Sequence, residues 1–379
     1  MELETLKETL FNALVIQSKA VGSKSNIPVL SNVMLKAETS KLYLYSTNLE
    51  FNIITWIGAD IIKSGSITVS LKRFLEYVNT LPEGNIKLEQ EEGLLLINGK
   101  NSKASFNTIP SQEFPKISGI KEEPITAINS ALFFDAVNFV SFSASKDETR
   151  PTFTGIYLEI ASSYVEFVAI DGFRIAKRKL LVETGVSSTL SFIIPALYLE
   201  EIARMPADKE DDVKIYVIGS KNQLGLRYKD TDFIIRLIEG NYPDYTRVIP
   251  SSFETQIILK REELVDAVKV SNIFAPQKEI GRTQVQIEED HIILKSSQKE
   301  VGGSEIRIDA TVKGSVGTIT YNSKFLLEAV SRLSSEDILL KVIFTQDKPS
   351  MLFNVAADAA DPYAVDEGNF CLMTPIKVE

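Results

Sequence analysis

The chain has 379 residues, a net charge of −10, an isoelectric point near 5.0 and 44% hydrophobic residues. That length is long for one hydrophobic core and suits two or three domains of an ordinary folded protein. A single cysteine (Cys371) and a single histidine (His291) exclude an internal disulfide and a zinc site of the usual His/Cys type, so no metal or other cofactor is expected.

The N-terminal residues Met1–Glu8 are acidic and read as the start of a helix over 3–21, with Leu6, Leu10, Ala13 and Leu14 on one stripe. They carry neither the basic nor the apolar region of a secretory signal. No apolar run approaches a membrane span, and the lone cysteine suits the cytoplasm, the expected location. Alternating strands follow on either side of Asn48, Leu42–Tyr45 and Phe51–Ile53. A second helix near 70–81 stops at Pro82-Glu83-Gly84, and strands at 86–90, 94–98 and 103–108 complete the block. A polar, proline-bearing linker runs from Phe114-Pro115-Lys116 to Pro124.

The next block reads as helix 129–143, strands 153–160, 164–169 and 173–181, helix 194–205, and strands 213–218, 223–228 and 231–236. Pro250-Ser251-Ser252 forms the second linker. Domain boundaries are placed near 122 and 250, giving 1–122, 123–250 and 251–379. Helices against antiparallel strands make each block α+β. His291, in Glu288–Leu294, reads as a solvated histidine in a turn leading into a strand. Asp211-Asp212 falls in a loop and Glu262-Glu263 in a first helical turn, where carboxylates favour solvent or the helix dipole. There is no phosphate loop, dinucleotide fingerprint or nucleophile elbow, and the chain does not read as an enzyme.

The blocks are repeats of one another. The helix face Phe74–Leu81 recurs as Tyr198–Met205 and Leu326–Leu333, at offsets of 124 and 128. Leu10–Leu14, Phe133–Val137 and Leu264–Val268 share the order apolar, any, Asn/Asp, Ala, apolar, at offsets of 123 and 131. Pro28 and Pro151 open similar runs 123 apart, as do Asn48-Leu49 and Asp171-Gly172. A period that long is a whole domain, used three times.

Specific motifs then carry a family resemblance. Glu148–Ile156 followed by Ala169–Ala176 resembles the middle domain of the bacterial DNA polymerase sliding clamp, the β subunit of the replicative polymerase III holoenzyme. So does Ile238–Pro250, which fits a Gly-x-[Phe/Tyr]-Pro-Asp-Tyr run, and the first block's Ser25–Asn32 and the tail Leu372–Lys377 fit as well. The resemblance implies three domains of the DNA clamp fold in a head-to-tail homodimer. Such a ring has helices lining a hole and sheets at the rim, threads duplex DNA without sequence preference and tethers the polymerase. Enclosure also reconciles DNA with an acidic chain, since a topological link needs no tight phosphate contact. The competing reading is an acidic three-domain scaffold that captures peptides without encircling DNA.

Carried over residue by residue, the resemblance implies three sites. Toward DNA, Lys24 falls where the family carries a basic DNA-contacting residue. Lys72, Arg73, Lys146, Arg204, Lys324 and Arg332 are candidates by their place on or beside the repeated helices, and each of these six reads equally as a solvated surface cation. Phe106, Ile273 and Phe274 would form the apolar dimer contact. Polymerase, clamp loader and repair proteins would dock short linear motifs in a cleft. Its walls would be Phe153, Ile170, Gly172, Phe173, Arg174, Ile175, Pro243, Arg247, Val248, Leu372, Thr374, Pro375 and Ile376, with the two arginines at its edge. Phe173 departs from the family's His, Thr374 and Ile376 from two methionines, and Val378-Glu379 extends the tail; these changes bear on peptide preference.

Overall fold

Each block opens with a short strand and only then turns into its first helix. The computed structural model describes the chain apart from residues 22–26, 220–221, 276–280, 299–301, 346–347, 357–360, 362 and 378–379. The first block runs β1 (Glu2–Leu6), α1 (Lys7–Gln17), β2 (Asn32–Glu38), β3 (Lys41–Thr47), β4 (Phe51–Gly58), β5 (Asp60–Lys63) and β6 (Gly65–Ser70). It ends with α2 (Leu71–Thr80), β7 (Asn85–Glu91), β8 (Leu94–Asn98) and β9 (Lys103–Ile109). The second block has β10 (Thr126–Asn129), α3 (Ser130–Val140), β11 (Gly155–Ala161), β12 (Tyr164–Ile170), β13 (Arg174–Leu180) and β14 (Leu190–Pro195). After these come α4 (Ala196–Ala203), β15 (Asp212–Ile218), β16 (Gln223–Tyr228) and β17 (Thr231–Arg236). The third has β18 (Thr255–Lys260), α5 (Arg261–Ile273), β19 (Arg282–Ile287), β20 (His291–Gln298), β21 (Gly302–Asp309), β22 (Thr311–Gly314) and β23 (Gly317–Asn322). It closes with α6 (Ser323–Val330), β24 (Asp337–Val342), β25 (Ser350–Asn354) and β26 (Phe370–Met373).

Several expected elements are corrected. The helix over 3–21 is shorter, because Leu3 and Thr5 alternate with glutamates and pair with β7, Leu3 opposite Leu88. Period 2 prevails over period 3.6 in those residues. Leu6, placed on the buried stripe, is 50% exposed, whereas Leu10, Ala13 and Leu14 are buried. The helix over 194–205 begins at Ala196, since β14 pairs with β11 as far as Pro195. That over 129–143 ends at Val140 and finishes as a 3-10 turn, Ser141–Ser143. Phe153 lies in a 3-10 turn (Pro151–Thr154) that precedes β11. Pro28 opens the matching turn (Pro28–Ser31) before β2, in both cases at a first position where a missing N–H costs nothing. His291 begins β20 with its Nδ1 2.5 Å from Asp290 Oδ1 and its side chain only 15% exposed, so it is not the solvated turn residue expected.

The repeated faces are buried alike. Phe74, Tyr198 and Leu326 are inside, as are Val78, Ile202 and Val330 one turn on. Ala13, Ala136 and Ala267 are buried while their neighbours Asn12, Asp135 and Asp266 are exposed. α1 packs against α2, and α5 against α6.

Internal contacts divide the chain into two units. One comprises Met1–Phe133 with Arg204–Leu237 and contains a sheet of order β10-β15-β16-β17-β4-β3-β2-β6-β9-β8-β7-β1-β5. The other comprises Phe134–Ala203 with Ile238–Glu379 and contains the sheet β14-β11-β12-β13-β26-β25-β24-β18-β22 and a second sheet, β21-β20-β19-β23. Each large sheet crosses from one block into the next at corresponding strands. β17 pairs with β4 (Ile235 opposite Phe51), and β26 pairs with β13 (Leu372 opposite Ile175). Among the described residues no helix is long and apolar enough to cross a membrane.

Candidate peptide-docking site and nucleic-acid-facing cations

Asp171 builds the turn between β12 and β13. Its Oδ1 accepts the N–H groups of Phe173 (2.8 Å) and Arg174 (3.0 Å), and its Oδ2 accepts Arg174 Nε at 2.9 Å. This Asx turn holds Gly172 at φ +96°, which a residue without Cβ adopts freely. Phe173 is turned outward, 60% exposed.

Arg174 goes the other way, against the expectation that it stands at the cleft edge. Its side chain is 10% exposed and pairs with both Asp171 and Glu328 of α6. Its guanidinium lies over the rings of Phe325 (4.1 Å) and Phe142 (5.1 Å). A buried guanidinium needs such partners, so Arg174 ties β13 to α6 and is not offered to a ligand. Arg247 does stay outside, its side chain 83% exposed and its Nε donating to Asp244 at 2.8 Å. Hydrogen bonds from Thr246 and Arg247 hold the Asp244 carboxyl below its ordinary value.

The chain's tail lies beside this turn. Thr374 N–H donates to the Phe173 carbonyl at 2.8 Å, and Ile376 N–H to the Thr320 carbonyl at 2.7 Å. Pro375 is buried between them. Ile170, Ile175 and Leu372 share one apolar cluster, with Phe153 packed against it. Arg150 lies 5.0 Å over the Phe153 ring and 3.3 Å from where a Cβ on Gly172 would stand.

The segment after β17 is pinned to the same strands by residues that sequence reasoning did not single out. Tyr242 stacks on Tyr157 at 5.1 Å and its hydroxyl donates to the Val168 carbonyl at 3.2 Å. Tyr245 donates to the Glu166 carboxylate, which also holds Lys177 at 2.9 Å. Burial pushes both phenols well above their ordinary value, Tyr245 with help from Glu166. The only signal in the sequence was the pair of tyrosines flanking Pro243-Asp244. So anchored, Pro243 is half-buried and the 3-10 turn Tyr245–Val248 reaches the surface, Val248 51% exposed. Of the sequence-derived set, Ile170, Ile175, Leu372 and Phe153 share one cluster, Phe173 and Thr374 are joined through the backbone, Arg174 is buried in the turn, and Phe173 and Val248 are exposed.

The cations are distributed over both units. Lys72 and Lys324 occupy the second residue of α2 and α6 at corresponding repeat positions, both exposed, and neither first turn holds an acidic residue. Cations at a helix N-terminus oppose the dipole, which makes these ends strongly attractive to anions. Arg73 is exposed beside Lys72, and Lys146 is exposed after the Ser141–Ser143 turn. Arg204 and Arg332 correspond in the repeat and are exposed just past α4 and α6, with Arg332 5.8 Å from the Phe142 ring. Lys24 lies outside the described residues. Phe106 sits edge-on to Phe74 (6.0 Å) and Tyr77 (5.6 Å), half-buried at the margin of the first block's core. Ile273 is 66% exposed at the end of α5 and Phe274 half-buried. Among the described residues no three His, Cys, Asp or Glu side chains are placed to hold a metal.

Three copies of one α+β block in tandem define a three-domain clamp fold. Profiles of the DNA polymerase III beta subunit match the chain in order: N-terminal domain over residues 1–118, central domain over 127–244, C-terminal domain over 246–366. The beta sliding clamp of Synechococcus elongatus is 26% identical over 347 residues, 90% of this chain and 92% of the relative. That of Staphylococcus aureus is 25% identical, covering 93% of this chain and 95% of the relative. Among solved structures, the sliding clamp of Bacillus subtilis superposes with a TM-score of 0.92 at 23% identity, and the DNA polymerase III beta chain of Streptococcus pneumoniae with 0.90 at 26%, each over 100% of both chains. The chain belongs to the DNA polymerase III beta subunit family, the sliding clamps that act as processivity factors in DNA replication.

Proposed function

We propose that this chain forms a head-to-tail homodimer of three-domain protomers that encircles duplex DNA and tethers the replicative polymerase. Domain boundaries near 122 and 250 fall in the two proline-bearing linkers. The single observation that carries the tethering role is the neighbourhood of the Asp171 turn. There the tail strand β26, a glycine turn and a tyrosine-pinned segment leave Phe173 and Val248 exposed beside an apolar cluster. Small apolar sites with a few polar groups suit the Leu or Phe anchor of a short linear motif. Phe153, Ile170, Gly172, Phe173, Ile175, Pro243, Arg247, Val248, Leu372, Thr374, Pro375 and Ile376 are the proposed contacts, with Arg174 supporting the turn from inside. Polymerase, clamp loader and repair proteins are the expected users, in the cytoplasm.

Lys72, Arg73, Lys146, Arg204, Lys324 and Arg332, with Lys24, supply the surface toward DNA, and Phe106, Ile273 and Phe274 the contact between protomers. A net charge of −10 argues against retention by phosphate neutralisation and favours enclosure. The test is topological. Protein loaded on closed circular DNA should stay bound and leave when the circle is cut, with a shallower salt dependence than a many-phosphate binder. Equal loss from circular and linear templates contradicts encirclement.

A further inference from the structure

The repeat that builds the Asp171 turn builds a second turn of the same design in the other unit. Asn48, Leu49 and Glu50 stand 123 residues before Asp171, Gly172 and Phe173. Asn48 Oδ1 accepts the N–H groups of Glu50 (3.1 Å) and Phe51 (2.7 Å), as Asp171 Oδ1 does for Phe173 and Arg174. The Glu50 carbonyl accepts Arg236 N–H at 2.8 Å, and the Phe173 carbonyl accepts Thr374 N–H at 2.8 Å. β17 lies on β4 as β26 lies on β13. An aromatic–proline pair accompanies each turn, Phe114-Pro115 and Tyr242-Pro243, 128 residues apart.

Beside the Asn48 turn there is open space. A cavity of 360 Å³ lies among Leu49, Asn52, Pro115, Ile117, Lys121 and Ile234, a volume at the low end of ligand sites. Two observations point to an occupant. Leu49 holds φ +80° where Gly172 holds +96°, and its aliphatic side chain is 54% exposed. A bulky residue in that region is strained, and strain of this kind gathers at binding turns. In addition, residues 116–120 of the linker form no helix or strand and, among the described residues, make no backbone hydrogen bond within the chain. Backbone groups along a groove that no described strand takes up are what an extended peptide pairs with. The charge of the lining selects the peptide: Lys116 and Lys121 outnumber Glu122, in a chain whose net charge is −10.

We propose that this cavity is a second peptide-docking site, taking a short extended segment of a partner protein with one aliphatic or aromatic anchor and a carboxylate. The anchor packs on Leu49, Ile117 and Ile234, and the carboxylate meets Lys116 or Lys121. The inference rests in part on the peptide reading of the Asp171 turn, and the test separates the two.

A fluorescein-labelled Asp-Glu-Ser-Leu-Phe-Asp peptide is titrated by anisotropy and calorimetry against the full chain and four variants. The intact chain should bind two peptides. Gly172→Leu, or Val248→Asp should that variant misfold, should bind one. Leu49→Asn should also bind one, and because asparagine tolerates positive φ its Tm should hold or rise while the second site weakens about tenfold. Lys116→Glu with Lys121→Glu should weaken the same site and leave the other. If the intact chain binds one peptide, lost in Gly172→Leu and kept in Leu49→Asn, the second site is refuted and the first reading stands. If only Leu49→Asn loses binding, the second site stands and the first reading falls. No binding to the intact chain overturns the second site.

Discussion

Cys371 is fully buried on β26 opposite Ala176, and loss of solvent pushes its thiol up to about 12 despite the nearby Arg332 and Arg174. Its alkylation by iodoacetamide should be negligible in folded protein at pH 8 and rapid in urea. The same shift sets a stability trend. Above the ordinary thiol value of 9.0 the unfolded chain loses this proton while the folded chain keeps it. Stability should therefore fall as pH rises from there toward the folded value, by about 1.4 kcal/mol per pH unit from this group. The buried phenols of Tyr242 and Tyr321 act in the same direction. Urea midpoints at pH 8 and pH 10 check it; an unchanged midpoint would mean the groups are solvated. Backbone fit is as local. A Cβ on Gly314, at φ +128°, would stand 2.2 Å from the Glu254 carbonyl oxygen, whereas one on Gly58 would meet nothing within 4 Å. Gly314→Ala should cost about 2–4 kcal/mol and Gly58→Ala under about 0.5 kcal/mol, read by thermal unfolding.

At the scale of elements, the Asp171 turn joins three segments of distant sequence. Asp171→Ala removes the acceptor of two N–H groups and a counter-ion of buried Arg174, and should cost about 3–5 kcal/mol. Asp171→Asn keeps the Oδ1 acceptor and should cost less; equal losses would mean that the backbone contacts contribute little. β26 lies between β13 and β25, inside the sheet and not at its edge. Truncation before Leu372 should therefore unfold the unit, whereas removing residues 375–379 leaves the strand and takes away only the tail beside the cleft. Calorimetry with a Gln-Leu-x-Leu-Phe-type peptide should find affinity reduced about tenfold in that shorter truncation, for one lost apolar contact. Circular dichroism should find the fold intact.

At the scale of the molecule, the proposed ring depends on surfaces the chain presents singly. Ile273 is two-thirds exposed at the end of α5, whereas Phe106 already packs on Phe74 and Tyr77. Ile273→Ala with Phe274→Ala should yield folded monomer by light scattering. A double variant that stays dimeric at low concentration would move the contact elsewhere. The basic helix ends predict a separate outcome: Lys72→Glu with Lys324→Glu should weaken duplex contact and leave the dimer mass unchanged.

The threefold repeat, the α+β class and most strands were legible in the sequence, because hydrophobic period, helix faces and motif spacing are local properties, whereas the cleft's residue set came from the family resemblance alone. Tertiary structure decided what depends on distant partners. Glu2–Leu6 is a strand because β7, some eighty residues on, offers it a register. Arg174 is buried because Glu328, 154 residues away, lies within its reach. The Asn48 turn belongs beside a cavity because β17 of the second block lies on β4 of the first. No local pattern encodes such pairings, since the free energy that selects them comes from burial and charge compensation, which exist only once the chain has closed on itself.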